Sequence, residues 1–251
     1  MLNLLIMKKI LNNLLTLAML LSLQIASSRA AVVTWQSPTT ISGDADISTT
    51  GTLDRAYNLT STSYSSSVIV NGVEFQPFGG TAVTSITLGN TLLSSTQNMW
   101  ASLGSGSSSA PFSSLSGSYQ VLMGQNILGT TTQTLTLDAL TVGNSYQFQI
   151  WTNESDHAST NGLLITAGNT VTLDSNTSNA VGGVGQFAIG TFTADAINQT
   201  FTITGAGPDN WSRMSAFQLR AIPEPSTVAL LTISAGALLL GNRHRRMRNQ
   251  A

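Results

Sequence analysis

The chain has no cysteine among its 251 residues. Disulfides, thiolate zinc sites, iron–sulfur clusters and cysteine nucleophiles within it are therefore excluded, and its fold must rest on core packing and strand ladders alone. Charge is also scarce: 8% of residues are Asp, Glu, Lys or Arg, against about 25% in an average soluble protein. What little there is lies segregated. Residues 31–222 contain no lysine, only Arg55, Arg213 and Arg220 against ten acids, a formal charge of −7. A phosphate backbone is held by clusters of Lys and Arg, so nucleic-acid binding by this stretch is excluded. It holds a single histidine, His157, and no long stripe of apolar residues at helical spacing. Ser, Thr, Asn, Gln and Gly fill the gap, a polar but uncharged composition that suits an extracellular β protein.

The two ends carry the remaining cations. Lys8 and Lys9 precede an apolar run from Ile10 to Ile25, and Ser28-Arg29-Ala30 places small residues at −3 and −1 of a cleavage point before Ala31. Residues 1–30 thus read as a secretory signal peptide and a substrate of signal peptidase, with an uncleaved membrane anchor as the alternative. At the other end, Pro223-Glu224-Pro225 leads into an apolar run from Val228 to Leu240, followed by Arg243, His244, Arg245, Arg246 and Arg248. Two prolines one residue apart fix φ and block a helix, which makes a stiff spacer. From Ser226 to Asn242 there are 17 residues, about 25 Å of helix, at the short end of what crosses a bilayer. The arginines favour the cytoplasmic side while the signal peptide sends the domain outward, so both ends give one topology. A core strand or helix with a ragged basic end is the alternative.

This ordered set of a Pro-Glu-Pro motif, a short apolar helix and a terminal basic cluster over residues 222–251 resembles the PEP-CTERM sorting signal of Gram-negative bacteria. The resemblance implies processing by an exosortase, with Pro223, Glu224 and Pro225 as recognition residues and Arg243, Arg245, Arg246 and Arg248 as the basic cluster. It also implies an inner-membrane intermediate, a final place at the cell surface or in the extracellular matrix, and association with exopolysaccharide.

Between the ends, residues 31–221 show period-2 patterning, the mark of half-buried strands. Thr134-Leu135-Thr136-Leu137 alternates, and after Thr141-Val142-Gly143-Asn144 the run Tyr146-Gln147-Phe148-Gln149-Ile150 puts two aromatics and an isoleucine on one face; the pair reads as a hairpin. Val68-Ile69-Val70 and Val73-Glu74-Phe75 flank Asn71-Gly72, whose two residues suit the positive φ of a tight hairpin turn. Further strands are expected at 32–35, 85–88, 120–123, 170–173, 185–193, 199–204 and 215–222, weaker ones at 56–59 and 163–165, a loop at 104–109, and a short helix at most in 91–101. About ten short strands separated by turns point to one all-β domain, an antiparallel β-sandwich of jelly-roll type. Trp35, Asp44-Ala45-Asp46, Gly51, Ala56-Tyr57-Asn58, Val70 to Phe75 and residues 134–151 resemble a domain frequent in PEP-CTERM proteins, similar to galactose-binding-like sandwiches; that resemblance implies a fold and no activity.

Candidate chemistry is sparse. Asn153-Glu154-Ser155-Asp156-His157 puts acid, hydroxyl and imidazole in five residues, but triad members come from separate segments, and a solvated polar loop is the plainer reading. Gly106-Ser107-Ser108-Ser109-Ala110 resembles a nucleophile elbow only in its small residues. Glycosidases need two facing carboxylates, and no pair stands in such a context. Asp44 and Asp46 at i and i+2 are candidate calcium ligands, since calcium takes oxygen donors; a plain Asp-rich turn is the alternative, and Glu154 with Asp156 is a second candidate pair. Trp100, Trp151 and Trp211 are candidates to stack on a sugar ring; Trp211 follows Gly207-Pro208-Asp209-Asn210, a loop, and is the best placed of the three, whereas Trp35 and Trp151 sit in strand patterns as core residues. The expectation is an exported, non-catalytic surface or matrix protein, with a carbohydrate-binding module as the second reading and a glycan-active hydrolase as the third. No cofactor is expected beyond a structural calcium.

Overall fold

The computed structural model describes residues 30–60, 66–130 and 132–223. The signal peptide, the apolar segment and the sorting residues Glu224, Pro225, Arg243, Arg245, Arg246 and Arg248 lie outside the described residues; Pro223 is exposed at the end of the last strand. Among the described residues, no helix is long and apolar enough to cross a membrane.

The domain is all-β, built from two eight-stranded sheets. In chain order the strands are β1 Thr34–Trp35, β2 Thr39–Thr40, β3 Thr52–Leu59, β4 Val68–Val70, β5 Val73–Phe78, β6 Val83–Leu88, β7 Thr91–Ser102, β8 Asn126–Gly129, β9 Gln133–Leu137, β10 Ser145–Thr152, β11 Gly162–Ala167, β12 Asn169–Asp174, β13 Gln186–Thr193, β14 Gln199–Ala206, β15 Ser212–Met214 and β16 Ala216–Ile222. One sheet runs β1-β13-β10-β16-β3-β5-β4 with β2 beside β13; the other runs β12-β11-β14-β9-β7-β8-β15 with β6 beside β7. Pairing is antiparallel except between β3 and β5, which run parallel, because the β4–β5 hairpin folds back onto the sheet edge through β5. That hairpin turns where the sequence predicts, with Asn71 at φ 48° and Gly72 at φ 74°.

The sheets face each other across a core in which Phe148 of β10 stacks on Phe201 of β14, ring centroids 4.1 Å apart. Tyr146, Phe148 and Ile150 all point into this core, as their alternation predicts. Their sheet has no bare back. A second cluster on its outer side packs Phe75, Trp151 and Phe187 under Tyr119, Leu122 and Met123. Gln149 and Gln218 are buried there as well, with their amides turned to the segment after residue 41: Gln149 Nε2 donates to the Asp46 carbonyl at 2.7 Å and Gln218 Nε2 to that of Ser48 at 3.0 Å.

Three local expectations are corrected. Residues 120–123 belong to a helix, Gly117–Met123, capped by Ser116, whose side chain accepts from the Tyr119 amide. Its buried residues Tyr119, Leu122 and Met123 fall at i, i+3 and i+4, a helical stripe too short to show in a four-residue window. Residues 91–101 are strand rather than helix: β7 binds β6, β8 and β9 along its length. Strands β9 and β10 form no hairpin; they lie in opposite sheets. The seven residues between them cross a layer spacing of about 10 Å, and Leu140 is held on the way by donating its amide to the Ile197 carbonyl at 2.9 Å. The 104–109 loop is pinned at Ser105, whose amide donates to Gly124 O at 3.1 Å and whose carbonyl accepts from Ser155 N at 2.7 Å.

Candidate ligand platform at the sandwich end

Two loops singled out separately in the sequence meet at one end of the sandwich. The first leaves β10 at Thr152 and returns into β11 at Gly162; the second leaves β14 at Ala206 and returns into β15 at Ser212. The first is anything but a solvated loop in its opening half: Asn153, Glu154 and Ser155 are buried. The Glu154 amide donates to Ser175 O at 2.8 Å, and the Asn176 amide group reaches the carbonyls of Glu154 (2.9 Å) and His157 (3.1 Å). Only then does the chain surface, at Asp156, His157 and Ala158. The loops touch backbone to backbone at Gly207, φ +129°, where a Cβ would lie 2.8 Å from Asn161 Cα and 2.9 Å from Thr160 O; only glycine allows that approach.

Glu154 anchors the junction. Its Oε1 accepts from Arg213 Nε at 2.6 Å and faces His157 Nε2 at 3.3 Å; its Oε2 accepts from Ser159 Oγ and from Asn161 Nδ2, the latter at 3.2 Å. The guanidinium of Arg213 also reaches Asp209 Oδ2 at 2.8 Å, which accepts from Asn161 Nδ2 at 3.0 Å. Asp209 Oδ1 accepts from the Trp211 amide at 2.9 Å, a local turn that sets the indole in place. The half-buried Trp211 ring lies against Arg213, Cζ 5.7 Å from the ring centroid. Partial burial pushes the Asp209 carboxyl up. The hydrogen bonds from Arg213, Trp211 and Asn161 and the charge of Arg213 outweigh it and hold the group below the usual carboxylate range. Two buried atoms of the network, Asn161 Oδ1 and Arg213 Nη1, have no hydrogen-bond partner among the described residues.

Glu154, Asp156 and His157 bring their ligand atoms within 4.8 Å of one another, but the Glu154 oxygens are already filled by protein donors, one of them a guanidinium, which stands where a cation would. Asp44 and Asp46, the sequence's calcium pair, lie elsewhere, on a 3₁₀ turn. Asp46 accepts from Ser42 N (2.7 Å), Ser42 Oγ (2.6 Å), Gly43 N (3.0 Å) and the Tyr119 hydroxyl (3.0 Å), while Asp44 accepts from Ser116 Oγ (2.6 Å). The bonds from Tyr119 and Ser116 tie the turn to the helix. Trp151 is wholly buried and Trp35 half-buried against Phe148 and Phe201. A separate groove of about 440 Å³ between the 103–108 loop and the helix is lined by Leu103, Phe112, Gln120, Val121 and Gln125 among others, with no titratable side chain.

Of these residues the sequence points to Trp211, His157 and Glu154. Arg213 and Asn161 escape it, although Arg213 has one signal: it is one of three cations in 192 residues and sits two places after the tryptophan. No protein-family model and no curated protein matches the chain. Among solved structures, it is similar to an exo-beta-1,3-galactanase from Phanerochaete chrysosporium crystallised with beta-1,3-galactotriose, at 18% identity and TM-score 0.27 over 61% of this chain and 32% of that one, so it spans about a third of that enzyme's length. It is also similar to carbohydrate-binding modules of the beta-sandwich superfamily, at 13% identity and TM-score 0.21 over 77% of this chain and 96% of that one.

Proposed function

We propose that this is an exported, non-catalytic surface or matrix protein whose β domain, a sandwich of the jelly-roll, galactose-binding-like kind, binds carbohydrate at the Trp211 platform. The observation that carries the reading is the construction under Trp211. A buried carboxylate, a guanidinium, a second carboxylate and an amide are locked together beneath a half-exposed indole. A buried ion pair contributes little net stability, so its place at a loop junction is better explained as support for groups that must be held still. The supported surface offers what a sugar needs: an indole face for C–H packing and planar polar groups for hydroxyls.

The platform does not suit glycoside hydrolysis. Glu154 is saturated by donors and buried, and Asp209 is held below the usual carboxylate range, the opposite of a general acid. Export and sorting by signal peptidase and exosortase belong to the same proposal and rest on residues 1–30 and 222–251, which would bring the domain to exopolysaccharide.

The test is affinity electrophoresis of the full chain through gels containing polysaccharides, neutral and acidic alike. Trp211→Ala is expected to weaken retention about tenfold, near 1.4 kcal/mol, with an unchanged circular dichroism spectrum. Retention identical in wild type and Trp211→Ala on every polysaccharide would sink the carbohydrate reading.

A further inference from the structure

We infer that the platform takes neutral glycans and rejects uronate and sulfated ones, an inference that rests on the carbohydrate reading above. Recognising a carboxylate or sulfate ester takes a cation with free donors, in practice Arg or Lys. Residues 31–222 hold three, all arginines, and each is committed inside the fold. Arg55 is turned to Asp54, to the carbonyls of Asn90 and Asp138 and to Thr91 Oγ1. Arg220 is buried in a cradle of main-chain carbonyls, its Nε 2.9 Å from Thr50 O and its Nη2 3.0 Å from Gly51 O and 3.2 Å from Thr49 O. Arg213, at the platform itself, is 11% exposed and bonded to both Glu154 and Asp209, and its one unpartnered nitrogen, Nη1, is buried away from any ligand.

The exposed imidazole does not replace them. His157 has Glu154 Oε1 3.3 Å from one ring nitrogen and Asp156 Oδ1 3.1 Å from the other, so both ring nitrogens face carboxylates that an anionic sugar would have to displace. The platform as a whole sets three carboxylates, Glu154, Asp156 and Asp209, against one guanidinium. Asp156 and Asp209 are the exposed members, at 41% and 35%, so the charge a ligand meets is negative. At about 10 Å of screening length in 0.1 M salt, that field reaches any uronate laid on the indole. A neutral ring meets no such penalty: carboxylate oxygens accept its hydroxyl hydrogens as well as any amide does.

The experiment compares neutral polysaccharides (galactan, glucan, mannan) with acidic ones (alginate, pectate, a sulfated galactan), using the full chain. Because the arginines beyond residue 242 can hold polyanions by themselves, the quantity read is the retention lost on Trp211→Ala. The expected result is a Trp211-dependent loss on at least one neutral polysaccharide and none on any acidic one. A Trp211-dependent loss on an acidic polysaccharide overturns the neutral assignment while leaving carbohydrate binding intact. No Trp211-dependent loss on anything overturns the underlying reading, and the assignment with it. Asp156→Lys, an exposed change that removes only the contact to His157, guards against a folding artefact. It is expected to raise retention on alginate severalfold at 20 mM salt, and no gain would overturn the assignment.

Discussion

Glu154 is a carboxylate with almost no access to water and a full set of donors, so its removal leaves those donors stranded. Breaking a buried pair from one side is costlier than the pair's net worth, typically about 3–5 kcal/mol. Arg213→Ala is therefore expected to lower stability by about that amount, read as the urea midpoint, and to abolish sugar retention with it. Asp209 behaves differently because it is partly exposed. Its native carboxyl titrates below the usual range, so it adds stability at pH above the unfolded value near 3.9 and loses it as pH falls through the lower native value. Solvent screening keeps that contribution under about 1 kcal/mol. Asp209→Asn should lower the plateau near pH 7 by up to about 1 kcal/mol and, by the same amount, flatten the acid limb of the stability curve below pH 4; a limb as steep as wild type would show that Asp209 is not its source. Trp211 was legible at this scale because a Gly-Pro-Asp-Asn loop exposes whatever follows it. Arg213 and Asn161 were not, since nothing local in a sequence says that residue 154 and residue 213 will meet.

At the scale of elements, what the sequence shows depends on whether a pattern is complete within the element. The β4–β5 hairpin is, since its turn residues and both apolar flanks are adjacent, and it appears as read. The β9–β10 pair is not: each strand alternates correctly, but the partner is chosen by registers with β14, β7, β13 and β16 that lie far away in the chain. The Gly117–Met123 helix fails for a related reason. Its stripe is two turns long and its purpose is to cover Trp151 and Phe75 on the back of a sheet. It is fastened by the Tyr119 hydroxyl on Asp46, and burial, followed by the charge of Asp46, pushes that phenol well above its ordinary value. The folded state therefore keeps the proton when the unfolded chain begins to release it, so this group favours unfolding as pH rises above about 10. Tyr119→Phe is expected to remove that alkaline loss while lowering stability at pH 7 by about 1 kcal/mol through the missing hydrogen bond. The check is urea unfolding at pH 7 and pH 10.5, and equal slopes in the two proteins would contradict it.

At the scale of the whole molecule, charge is segregated along the chain. The domain keeps its three cations inside its own fold, and the remaining seven basic residues all lie at the ends, Lys8, Lys9 and Arg29 before residue 31 and four arginines after residue 242. That partition is what the proposed export and sorting would require, because arginines resist translocation. The domain's last strand stops at Ile222 and Pro223 is exposed, so the Pro-Glu-Pro motif begins where sheet pairing ends. If the motif is read by an exosortase, replacing Pro223, Glu224 and Pro225 with alanine leaves the domain's ladders untouched, and only processing should change. The expected outcome is full-length protein in the inner-membrane fraction at the expense of the shorter surface form, with thermal stability of the domain unaltered. A mutant that reaches the surface at its usual mature size would show that those three residues do not direct sorting, while the platform at the opposite level of organisation would be judged on its own sugars.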